Sequence, residues 1–198
     1  MNIVFDLGKV VIEWDPRHLY RKVFDRADEM EWFLAEVCHG AWNLEQDRGR
    51  SFEDGVREAI ARHPRHAREI AMYDERWMEM VPGAIDGTVE IIEELHARGT
   101  PLYAITNWNG DKFRETRARF PVLSRFRDIV VSGDERLLKP DPEIFHLYSR
   151  RNGVKLEDSL FIDDGPKNVK GAEAVGMTAH HFTTPEALRA ELVEMGLL

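Results

Sequence analysis

The sequence predicts an α/β fold: a five-stranded parallel sheet flanked by helices, with a helical cap inserted after the first strand. Three observations predict it. Five short apolar runs alternate with helical patterns, which is the signature of βαβ units. Two of those runs end in carboxylates, and the ends of buried parallel strands are where open α/β sheets hold their ligands. Roughly 95 residues separate the first run from the second, far more than one crossover helix needs.

The first run is Ile3–Asp6, β-branched and aromatic up to Asp6, with Gly8 supplying a turn. The helices expected next are Arg17–Phe24, Asp28–His39, Phe52–His63 and Arg65–Met80. Asp15-Pro16 reads as an N-cap and first helical residue, Ser51 with Asp54 resembles a capping box, and Pro64 separates the last two helices. Gly40–Gly49 reads as a stretch between helices. Residues 15–80 therefore form the cap, and residues 1–14 with 81–198 form the core. Ile85, Val89, Ile92 and Leu95 follow helical spacing, and Gly99 stands where a helix-terminating glycine belongs. Leu102–Thr106, Ile129–Val131, Leu160–Asp163 and Thr178–Phe182 are the remaining strands. Pro142 opens a helix that runs to Asn152 and stops at Gly153, and Thr184-Pro185 caps the last one.

At 198 residues, 43% hydrophobic and 32% charged, the chain suits a folded domain with an insertion. The net charge of −9 argues against a nucleic-acid partner and against an anionic membrane surface. Cys38 is the only cysteine, which excludes an intramolecular disulfide and fits a reducing compartment. No apolar stretch approaches the ~20 residues that cross a bilayer. The first residues already read as a core strand rather than a signal peptide, so the cytoplasm is the expected location. Nothing in the residues specifies an oligomer.

Asp6 and the pair Asp163-Asp164 carry the chemistry. Folding alone does not favour three unpaired carboxylates at one sheet edge, but a divalent cation among them makes the arrangement tolerable. Four segments occur in order: Phe5-Asp6-Leu7-Gly8, Ile105-Thr106-Asn107, Leu138-Lys139-Pro140-Asp141-Pro142, and Phe161-Ile162-Asp163-Asp164-Gly165-Pro166 with Asn168 two residues on. This order resembles the haloacid-dehalogenase superfamily of hydrolases, over essentially the whole chain, and in particular its subgroup with a small helical cap. The first and last segments are similar to those of bacterial α-glucose-1-phosphate phosphatases.

The resemblance implies a Rossmann-like core and hydrolysis of a small phosphomonoester, a sugar phosphate among the options. Asp6 would be the nucleophile that forms an aspartyl-phosphate. Mg²⁺ is the implied cofactor, on Asp6, the Gly8 carbonyl and Asp164, with Asp163 the other candidate ligand and Asn168 an outer support. Thr106, Asn107 and Lys139 would hold the phosphoryl group, and Lys139 would also face Asp6. Trp14 and Trp108, each just after a catalytic strand, are candidate pocket walls, whereas Trp42 and Trp77 read as core. Asn43 and Arg48 are candidate cap contacts. His63 and His66 read as exposed cap histidines. Of His180 and His181, one is expected to face the core and the other a helix or solvent.

Gly8 departs from the family pattern. Phosphatases of the superfamily usually carry a second aspartate there, which protonates the leaving oxygen and then activates water. Three readings follow. In one, the acid comes from elsewhere, with Glu13 and Asp15 the candidate substitutes, or the leaving group needs little help. In another, the chain is a metal-free 2-haloacid dehalogenase using Asp6, against which stands the doubled carboxylate Asp163-Asp164. In the third, it is an impaired phospholigand binder.

Overall fold

Parallel strands buried on both faces need near-continuous apolar sequence, and the five runs supply it. The computed structural model describes every residue from Met1 to Leu198. The strands are β1 (Asn2–Phe5), β2 (Leu102–Thr106), β3 (Asp128–Val131), β4 (Ser159–Asp163) and β5 (Thr178–His181). All are parallel, in the spatial order β3-β2-β1-β4-β5. The chain builds outward from β1 through β2 to β3, then returns to lay β4 and β5 on the other side. The reversal falls between β1 and β4, the crevice where such sheets accept ligands. Phe5 pairs with Ile162, and the Asp6 amide donates to the Ile162 carbonyl at 2.7 Å. Asp6 and Asp163 therefore leave the sheet side by side.

Successive strand residues face opposite ways, so the sheet has two apolar faces. Val4, Ile105 and Phe161 pack with Ile144, Phe145 and Tyr148, while Ile3, Phe5 and Ile162 belong to the larger core on the other face.

The helices are α1 (Arg17–Tyr20), α2 (Ala27–Glu36), α3 (Gly40–Asp47), α4 (Phe52–Arg62), α5 (Ala67–Glu75), α6 (Asp86–Ala97), α7 (Gly110–Arg117), α8 (Ser132–Glu135), α9 (Pro142–Asn152), α10 (Pro166–Ala174) and α11 (Pro185–Glu194). The Gly153 stop adopts φ +63°, the Gly99 stop φ +77°, and the Thr184 hydroxyl accepts from the Ala187 amide.

Between β1 and α6 the outcome differs from expectation in several places. The first helix ends at Tyr20 rather than Phe24. The segment Gly40–Gly49 is not a linker: α3 starts there because His39 Nδ1 accepts from the Trp42 amide at 3.1 Å, so His39 is a cap and not the end of α2. The stretch Arg65–Met80 is α5 between two 3₁₀ turns, not one helix. At α4, the Ser51 hydroxyl accepts from the Asp54 amide and donates to its carboxylate, which leaves out the reciprocal backbone bond of a full capping box.

Aromatic side chains join this helical segment to the sheet. Trp42 meets Tyr73 at 5.0 Å between ring centroids, Phe52 meets Trp77 at 5.4 Å, and Trp77 meets Trp108 at 6.4 Å. One apolar core thus runs from Phe33 and Tyr73 to Phe5. His66 is a correction: it packs against Trp32 and Phe33 at 5.5 and 5.7 Å, and His63 is likewise half-buried. His180 is buried and bonded to Glu191 of α11, while His181 is exposed. No helix is long and apolar enough to cross a membrane.

Candidate active site

Asp6 follows β1 and is 7% exposed; its Oδ1 accepts from the Leu7 amide at 2.7 Å and from Lys139 Nζ at 2.8 Å. The same Nζ donates to Asp163 Oδ2 at 2.6 Å, so one buried ammonium bridges two strand ends. Asp163 is fully enclosed: its Oδ1 also accepts from the Gly165 amide at 2.7 Å and from Asn168 Nδ2 at 2.9 Å. Asp164 is only partly buried. Carboxylate oxygens of Asp6, Asp163 and Asp164 lie within 4.8 Å of one another.

The charges in this cluster do not balance. Three carboxylates face one buried lysine. Burial, then Asp163 and Asp164, raises the Asp6 carboxyl to about 7 despite the opposing pull of Lys139. Burial and Asp163 raise Asp164 as well. For Lys139, burial favours loss of the proton, but Asp6 and Asp163 outweigh it and hold the ammonium. An all-oxygen donor set with surplus negative charge and no histidine or cysteine suits a hard divalent cation such as Mg²⁺.

The neighbouring loops supply donors. Thr106 Oγ1, at the end of β2, is buried and has no protein partner, so its hydroxyl is free for a ligand oxygen. Asn107 does something else: its Oδ1 accepts from the Lys139 amide at 2.9 Å and its Nδ2 donates to the Lys139 carbonyl at 3.1 Å. Its side chain clasps the Lys139 loop instead of standing open for substrate. Gly171 of α10 presses the same loop from behind, since a Cβ there would come within 2.7 Å of Pro140.

Two cavities open beside the loop that follows Asp6, at Gly8 and at Lys9. One of about 70 Å³ is lined by Gly8, Trp14, Asn43, Asp47, Trp77, Asn107 and Trp108. The indole nitrogens of Trp14, Trp77 and Trp108 are buried without partners. Trp14 and Trp108 line this cavity, and Trp77, expected as core, is both core and wall. The other, of about 360 Å³, opens between Lys9, Trp14 and Asp15 on one side and α2 and α3 on the other.

Glu13 and Asp15 do not line the cavity beside Gly8. Glu13 is exposed and bonds His18 at 2.8 Å, and Asp15 caps the Arg17 amide at 2.8 Å and pairs with its guanidinium. Arg48 points to solvent, and Trp42 is buried with its Nε1 donating to the Gly55 carbonyl. Four residues went unread in the sequence. Lys9 takes φ +62°, lies 5.7 Å over the Trp14 ring and faces Asp164. Asp47 is buried in the cavity wall. Ser132 and Asn109 tie the end of α3 to the loops after β3 and β2.

Residues 1–176 match the haloacid dehalogenase-like hydrolases. The chain belongs to this family. Among relatives, a glyceraldehyde 3-phosphate phosphatase from Methanopyrus kandleri is 26% identical over 67% of this chain and 64% of its own length. A phosphoserine phosphatase from Thermus thermophilus is 30% identical over 67% of this chain and 53% of its own. The chain thus spans between half and two thirds of the length of these relatives. A haloacid dehalogenase-family enzyme from Bacteroides thetaiotaomicron, solved with magnesium and inorganic phosphate, superposes with a TM-score of 0.71 at 21% identity. That match covers 92% of this chain and 94% of the other, and the likeness is one of fold.

Proposed function

We propose that this hydrolase is a Mg²⁺-dependent phosphomonoesterase acting on a small phosphorylated metabolite, a sugar phosphate among the candidates. The observation that carries the reading is the convergence of Asp6, Asp163 and Asp164 around the Lys139 ammonium at the sheet reversal. The phosphatase relatives support it.

Asp6, Asp164 and the Gly8 carbonyl would hold the metal, with Asp163 and Asn168 behind them. When bound, the cation neutralises the phosphoryl oxygens and keeps Asp6 ionised. Lys139 fixes Asp6 and offsets charge on the transferring group, and the Thr106 hydroxyl donates to a phosphoryl oxygen. Asp6 attacks phosphorus in line with the leaving oxygen and becomes an acyl phosphate, which water then cleaves at phosphorus. Residues 15–80 act as a cap over this edge, with residues 1–14 and 81–198 as the catalytic core, and the cap excludes water during turnover.

Gly8 is the one feature that favours a dehalogenase, which needs no leaving-group acid. Three crowded carboxylates around an uncompensated carboxylate substrate weigh against it. The test is a screen of phosphorylated metabolites and haloacids, with Mg²⁺ or with EDTA. Phosphate release that requires Mg²⁺ and disappears in Asp6→Asn is the expected outcome. Halide release that persists in EDTA would overturn the reading.

A further inference from the structure

A phosphatase with glycine two residues after its nucleophile must find its leaving-group acid elsewhere or lack one. That acid must lie on the leaving-group side, be shielded from water, be fixed in place, and be free of a cation that would hold it ionised. Among the acids around the cluster, Glu13 is exposed on His18, and Asp15 is held by Arg17. Asp163 is saturated by Lys139, Gly165 and Asn168, and Asp164 belongs to the metal cluster. Asp47 is the exception. It is 8% exposed, makes no ion pair, and shares the small cavity with Gly8.

Asp47 is also held in place. Tyr73 donates its hydroxyl to Asn43 Oδ1 at 3.1 Å, which turns the Asn43 amide so that Nδ2 donates to Asp47 Oδ2 at 3.0 Å. The backbone of α3 is clasped from the core side. The Ser132 hydroxyl donates to the Asp47 carbonyl at 2.6 Å and accepts from the Trp108 amide at 2.9 Å. Asn109 Nδ2 donates to the carbonyls of Gln46 and Arg50 at 3.2 and 3.3 Å. A carboxyl on a helical segment otherwise remote in sequence is thus seated in the wall of the cavity beside Gly8, two residues from the nucleophile.

The structure assigns Asp47 as the leaving-group acid and water-activating base, supplied by the helical segment in place of the residue missing at position 8, for substrates whose leaving group is an unactivated alcohol. The assignment rests on the phosphomonoesterase reading above. Burial, with Asp6 adding and against a hydrogen bond from the Asn109 amide, raises the Asp47 carboxyl well above the usual range, the direction that favours the proton the first step needs. As Asp6 attacks, the bond from phosphorus to the alkoxy oxygen breaks and its electron pair stays on that oxygen. The Asp47 proton moves there and the alcohol leaves. Asp47, now a carboxylate, takes a proton from the water that attacks the acyl phosphate. The bond from phosphorus to Asp6 breaks, and inorganic phosphate and both carboxyls are restored. The cavity that Asp47 shares with Gly8 is walled by Trp14, Trp77 and Trp108, whose rings offer the leaving group an apolar face.

The experiment compares wild type, Asp47→Asn and Asp47→Asn with Gly8→Asp, all with Mg²⁺, on p-nitrophenyl phosphate and on glycerol 2-phosphate. p-Nitrophenolate leaves without a proton, whereas the glycerol oxygen needs one. Asp47→Asn is expected to lower kcat/KM on glycerol 2-phosphate by about 10²–10⁴ and on p-nitrophenyl phosphate by less than about tenfold. Adding Gly8→Asp, where a new Cβ has 4.0 Å to its nearest neighbour, is expected to recover at least part of the alkyl activity. A carboxyl whose only role is to seat α3 would move both substrates together, and the second substitution would repair neither. Equal losses on the two substrates, no loss on either, or an alkyl-to-aryl ratio untouched by Gly8→Asp each overturn the assignment. A wild type that cleaves neither of these esters, nor any ester of the metabolite screen, would instead overturn the phosphomonoesterase reading and this inference with it.

Discussion

The Asp6 carboxyl makes the metal-free protein less stable as the solution becomes more alkaline. Folding raises it from 3.8 to about 7, chiefly through burial. Across that interval the folded chain binds a proton that the unfolded chain has released. The stabilisation is therefore complete below about pH 4 and is lost as pH rises through 7. A difference of about three pH units corresponds to about 4 kcal/mol from this one group. Asp164 is raised too and contributes with the same sign. The assay is urea unfolding in EDTA between pH 4.5 and 8, for wild type and for Asp6→Asn. Subtracting the variant removes the surface carboxylates, such as Glu79, whose partners depress them and whose stability runs the opposite way. Wild type is expected to lose about 3 kcal/mol relative to Asp6→Asn over the range. Added Mg²⁺ at pH 8 should restore most of it, because a cation then replaces the proton. A wild-type-minus-variant difference that stays flat with pH would refute the claim that Asp6 is an uncompensated buried acid.

Lys139→Met leaves Asp6 and Asp163 buried with no cation between them, so a loss of about 3–5 kcal/mol is expected in EDTA by urea unfolding, with a smaller loss in Mg²⁺. Thr106→Val removes a hydroxyl without a protein partner: thermal unfolding should move little, while kcat/KM for a phosphomonoester should fall about 10–100-fold, the worth of a hydrogen bond to a charged oxygen. Trp77→Ala opens the aromatic bridge between the helical segment and the sheet, and urea unfolding should report a loss of about 3–5 kcal/mol; a change below about 1 kcal/mol would show that the two halves do not share a core.

The sheet-edge acids were legible because buried parallel strands run almost wholly apolar, so a carboxylate closing such a run stands out. Their convergence follows from strand order, with Phe5 paired to Ile162, and the resemblance carried by the four ordered segments implied that fold. Lys139 was legible as a loop residue, but its two-way bridge was not, since it depends on Asn107 clasping a loop 32 residues further along the chain. Asp47 was hidden for a different reason. Gly40 and Gly49 bracket a polar stretch that reads as a linker, and its helical start relies on a histidine cap, an uncommon signal. Its burial comes from Asn109 and Ser132, which no local pattern connects to it. Lys9 takes a left-handed backbone without being glycine, asparagine or aspartate, and sequence offers no cue for that.

Moving the leaving-group acid from the nucleophile loop to α3 changes what docking of the helical segment does. An aspartate at position 8 would be present in every conformation, because it rides on β1. Asp47 is present only while Ser132 and Asn109 hold the end of α3 and the Trp77–Trp108 contact is made. Without the segment in place, Asp6 would still face Lys139 but would lack a proton for the alkoxide. With it in place, one segment would supply the acid and shield the site from water. Chemistry on poor leaving groups would then be tied to the docking of this segment. The shared aromatic core makes the docked arrangement the resting one, so Asp47 is seated beside Gly8 before any ester arrives.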